Sequence, residues 1–63
     1  MTVDEHVAVL HAAMQADHEA LIAEIREWAD AAAARGDLVT QRRHLERIAR
    51  LGAIPKPWER HAA

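Results

Sequence analysis

An all-α architecture is what these 63 residues predict: a long helix, a shorter antiparallel one and an extended C-terminal tail. Oligomerisation or a partner subunit is expected to complete it. Three observations carry this reading. From Val3 to Ala34 there is no glycine or proline, and apolar residues recur at helical spacing. Gly36 and Asp37 then form a stop-and-start signal, glycine closing one helix and aspartate capping the next. Finally, Gly52, Pro55 and Pro57 interrupt any helix that follows. The expected organisation is a helical hairpin over residues 1–51 (helix about 3–34, turn 35–37, helix about 38–51) and a Pro/Trp-containing tail over residues 52–63.

The first helix opens with Thr2 and Glu5, the spacing of a capping box that satisfies free amide donors at a helix start. At about 100° per residue, Val3, Val7, Leu10, Met14, Leu21, Ile25 and Trp28 fall on one stripe. Glu5, Glu19, Glu27 and Asp30 fall on the opposite side. Trp28, near the turn, reads as hairpin core. The string Arg35-Gly36-Asp37 matches the integrin-binding tripeptide, yet each residue has a local task in ending or starting a helix.

In the second helix Leu38, Leu45, Ile48 and Ala49 form the expected apolar side. Arg43, Arg47 and Arg50 form a basic face on the reverse. Such a stripe can track phosphates, but the chain has no Tyr or Phe for base stacking and is acidic overall, with a net charge of −2. Nucleic acid is therefore a possible but not a favoured partner. In the tail, two prolines one residue apart favour an extended, polyproline-like run. Trp58 in such a stiffened segment suits an anchor that loses little entropy on docking.

The unequal lengths of the helices have a consequence. In an antiparallel hairpin the second helix reaches back only to about Leu21. Val3, Val7, Leu10, His11, Met14 and His18 are then left without cover, and an apolar stripe of that length calls for a partner or for the tail. Together with Trp58, these residues form the expected partner interface.

His11, Met14 and His18 raise a second question, because imidazole and thioether groups also ligate copper or haem iron. His44 adds a further candidate. His11 and His18 lie about 10.5 Å apart along a helix axis, too far to share one ion unaided. The favoured reading is that these imidazoles pack in a seam and hold no metal or cofactor. A metal-binding helical bundle is the alternative.

Composition narrows the remaining classes. The chain has no cysteine, which excludes disulfides and thiolate metal sites. It also has no serine and no glycine-rich phosphate loop, so no catalytic residues are assigned and the protein is expected not to be an enzyme. Fifteen of its residues are alanine, which favours helix but contributes little burial. A chain this short rarely stands on such a core alone.

MTVDEHV lacks the basic start of an export signal, and no apolar run approaches the length that spans a bilayer. A cytoplasmic location and no membrane contact are the expectations. Charge is polarised: residues 1–34 carry seven acids and Arg26, whereas residues 35–63 carry seven bases and three acids. That pattern suits a chain that folds back on itself or pairs with a second copy. The function expected is that of a small accessory or scaffold protein, such as a complex subunit or a phage structural or assembly factor. It would act through self-association or by docking on a larger protein complex.

Overall fold

The computed structural model describes residues 2–59 and contains two antiparallel α-helices. Helix α1 spans Val3–Ala34 and α2 spans Leu38–Ala53. A single 3₁₀ turn, Pro57–Glu59, follows. The all-α hairpin predicted from periodicity is the fold observed. Residues 1 and 60–63, the two ends of the expected hairpin and tail, lie outside the described residues.

The start of α1 is the predicted capping box. The Glu5 amide donates to the Thr2 hydroxyl at 3.1 Å, and the Thr2 amide donates to the Glu5 carboxylate at 3.4 Å. Its end is closed by Gly36, whose φ of 78° lies in the left-handed region that a Cβ disfavours. The Gly36 amide donates to the Ala33 carbonyl at 3.0 Å and the Asp37 amide to the Ala32 carbonyl at 2.9 Å. Asp37 then starts α2, its carboxylate accepting from the Thr40 amide at 3.1 Å and its carbonyl from the Gln41 amide. Two helices thus share one three-residue connection, and Asp37 belongs to both ends.

The core is small. Ile25, Ala29 and Ala32 are completely buried, and they fall at steps of four and three on the face of α1 that meets α2. The two alanines allow the helix backbones to approach closely. Around them Leu21, Ile22, Gln41, His44, Ile48 and Leu51 are half-buried. Trp28 lies at the rim with 43% of its surface exposed, its indole tilted over the His44 imidazole at 5.9 Å. This differs from the core position predicted for it: Ile25, Ala29 and Ala32 fill the buried seam, and the larger ring lies at its edge.

The rotation of α2 also differs from the prediction. Its face toward α1 is formed by Gln41, His44, Ile48 and Leu51. Leu38 and Leu45 stand 66% and 44% exposed, and Ala49 is exposed as well. The apolar arc of α2 is wider than one neighbouring helix can cover, and the packing uses one edge of it. Ile48 alone of the four predicted core residues turns inward.

The tail departs from an extended run. Gly52 and Ala53 continue α2, and only at Ile54 does the backbone become extended. Pro57 then opens the 3₁₀ turn, closed by the Glu59 amide donating to the Lys56 carbonyl at 3.0 Å. A proline has the right φ for the first position of a helical turn, where its missing N–H costs nothing. The Lys56 ammonium folds back to donate to the carbonyls of Gly52 at 3.1 Å and Ile54 at 2.6 Å, and it sits 3.6 Å from the Glu59 carboxylate. Lysine thereby caps the end of α2.

Candidate interaction surface

From residue 3 to 17, α1 extends past the end of α2. Here the expected interface residues divide into two groups. His11 and His18 are half-buried. Pro55, Lys56 and Pro57 lie beside His11, and the Trp58 indole meets the His18 imidazole at a centroid distance of 5.5 Å. The tail therefore returns along α1 of its own chain. Its indole meets His18, while Leu10 and Met14 keep about half of their surface exposed.

The other group stays bare. Val3 is 78% exposed, Leu10 50%, Met14 45% and Val7 39%. With half-buried Leu21 and the exposed edge of Trp28 they form a stripe at steps of four, three, four, seven and seven. This stripe runs nearly the full length of α1, about 48 Å at 1.5 Å per residue.

Two further features flank the helix pair. A groove of about 520 Å³ lies between α1 and α2, with Ile22, Ala23, Ile48 and Gly52 among its apolar lining and Glu19, Arg26, Glu27 and Asp30 at its edge. A second concavity of about 470 Å³ lies along α2 over Leu38, Leu45 and Ala49. Sequence reasoning missed this second apolar strip. The repeat of Leu38 and Leu45 seven residues apart is its signal, but the same spacing also reads as core.

The basic face is exposed throughout: Arg43, Arg47 and Arg50 all face solvent. Among the described residues the ion pair present is Lys56 with Glu59, within the tail, and the arginines of α2 form none with the acids of α1. The charge polarity read from the sequence is thus not consumed by the hairpin. Asp37 has its pKa lowered from 3.8, because hydrogen bonding from the Thr40 side chain and then its amide favours the carboxylate.

The candidate metal ligands do not converge. Among the described residues no three His, Cys, Asp or Glu side chains are grouped as a metal would require. The tail lies against His11 and His18, Met14 is exposed, and His44 packs under Trp28. No helix among the described residues is long and apolar enough to cross a membrane. No protein-family model, curated protein or solved structure gives a significant match to this chain.

Proposed function

We propose that this protein is a small non-enzymatic accessory or scaffold protein whose work is to bind protein through the bare stripe of α1. One observation supports this above the others. The fully buried core consists of Ile25, Ala29 and Ala32, while Val3, Val7, Leu10 and Met14 line up in solvent. Fully burying an exposed side chain of this kind is worth about 1.5–3 kcal/mol, and these four still keep between 39% and 78% of their surface in solvent. A fold that leaves so much of its burial unrealised gains stability from any protein surface that fits the stripe.

A photo-crosslinking amino acid placed at Leu10, and in a control at Val9 on another side of α1, tests the reading in the producing cells. Position 10 is expected to yield adducts with protein and position 9 few. Absence of protein adducts at position 10, or equal yields at both positions, would overturn it.

A further inference from the structure

The two halves of α1 have similar lengths and opposite needs. Residues 3–17 are bare apart from the tail on one edge, and residues 18–34 are backed by α2. At 1.5 Å per residue these are roughly 22 Å and 25 Å long. The stripe passes from one half to the other, from Val3 through Leu10 and Met14 to half-buried Leu21 and the exposed edge of Trp28.

Building on the protein-binding reading, we infer that the occupant of the stripe is a second copy of this chain, laid antiparallel along α1. Each bare half then rests on the two-helix half of its partner, giving a four-helix assembly with a two-fold axis. In the register that matches the ends of the stripe, Val3 faces the partner's Trp28, Leu10 faces the partner's Leu21, and Met14 lies near the axis.

Charge selects this direction. Residues 3–17 carry Asp4, Glu5 and Asp17 and no lysine or arginine. Residues 18–53 carry six acids and six arginines, and within them α2 holds Arg42, Arg43, Arg47 and Arg50 against Glu46 alone. A parallel copy would set three acids against three acids. An antiparallel copy sets them beside a neutral half whose exposed helix is basic. Among the described residues, the arginines of that helix form no ion pair to α1 of their own chain.

Sedimentation velocity on the purified protein at micromolar concentration tests this. The wild type should sediment as a species of about 14 kDa, twice the 7.0 kDa chain. Leu10→Glu should sediment as a monomer. An acid-reversed chain (Asp4→Lys with Asp17→Lys) and an arginine-reversed chain (Arg43→Glu, Arg47→Glu and Arg50→Glu) should each self-associate at least tenfold more weakly. Mixed one to one, they should form a heterodimer, because only the mixture restores opposite charge at both contacts. Circular dichroism of the mixture verifies that both chains are helical. A monomeric wild type would overturn the inference, as would reversed chains that gain nothing on mixing. If the wild type is monomeric while position 10 still crosslinks to a different protein in cells, the second copy is ruled out and the protein-binding reading stands.

Discussion

The imidazole of His18 and the indole of Trp58 meet at 5.5 Å between ring centroids, with their planes inclined by 56°. These residues are forty positions apart, and their contact is where the tail rejoins the helix that began the chain. Tilted aromatic contacts of this kind contribute about 0.5–1.5 kcal/mol beyond the area they bury. In a Trp28→Phe background, Trp58 should emit to the blue of a water-exposed indole and resist iodide quenching. Adding His18→Ala should move emission to the red and raise quenching, with the helicity of α1 retained. An unchanged spectrum would show that the ring contact does not hold the tail.

The two glycines should respond to alanine with opposite signs. Gly36 sits at φ 78°, so Gly36→Ala places a Cβ in the left-handed region and should destabilise the hairpin by about 1–2 kcal/mol. Gly52 is helical, and a methyl group there would point into open space, so Gly52→Ala should stabilise by up to about 1 kcal/mol. Urea unfolding of both variants at one protein concentration measures the pair.

The small core sets its own tolerances. Ile25→Ala should cost about 2–5 kcal/mol, enough to abolish cooperative unfolding in so small a domain. Ala29→Leu adds volume at a completely buried position and should cost about 1–3 kcal/mol. Enlarging exposed Ala16 in the same way should change little. Thermal melts followed by circular dichroism distinguish the three.

Asp37 contributes a specific acid sensitivity. Its folded pKa lies below the ordinary 3.8, so its capping stabilisation is fully present above that value and is lost as the pH falls through the lowered one. Asp37→Asn keeps an oxygen acceptor for the Thr40 amide but does not titrate. The stability difference between wild type and Asp37→Asn should therefore shrink below pH 3.8, as measured by urea titrations at a series of acid pH values.

Metal removal should leave the fold untouched. His11 lines a concavity with Pro55, Lys56 and Pro57, His18 meets Trp58 and His44 meets Trp28, so each imidazole has a neighbour from a different part of the chain and none is grouped with the others. Treatment with a chelator is expected to change neither helicity nor melting temperature, and purified protein should contain no stoichiometric copper, zinc or iron. A melting temperature that falls on chelation and recovers with one added metal would establish a ligand role for these residues.

Local signals make the backbone legible from sequence. Thr2 and Glu5, then Gly36 and Asp37, announce helix ends through hydrogen bonds made within a few residues, and the helix ends lie where those residues stand. The bare half of α1 is legible too, because it follows from helix lengths. What periodicity does not fix is rotation. Leu38, Leu45, Ile48 and Ala49 form one broad arc, and which edge of it meets α1 depends on the turn and on Ala29 and Ala32 at the contact. The tail is half legible. Trp58 reads as an anchor, but its contact with His18, forty residues away, and the Lys56 bonds to the carbonyls of Gly52 and Ile54 are contacts that no spacing rule encodes.

The brevity of the 35–37 connection separates two clocks. Bringing α2 onto α1 closes a very short loop within one chain, a process on the order of microseconds and indifferent to protein concentration. An encounter between chains at micromolar concentration takes on the order of a second at ordinary association rates. For the two-copy assembly proposed above, refolding by rapid dilution should accordingly show a fast gain of helicity at a fixed rate, followed by a slower phase whose rate rises with concentration. Each chain would thus meet its partner already shaped as a hairpin, presenting a finished edge in place of a loose coil.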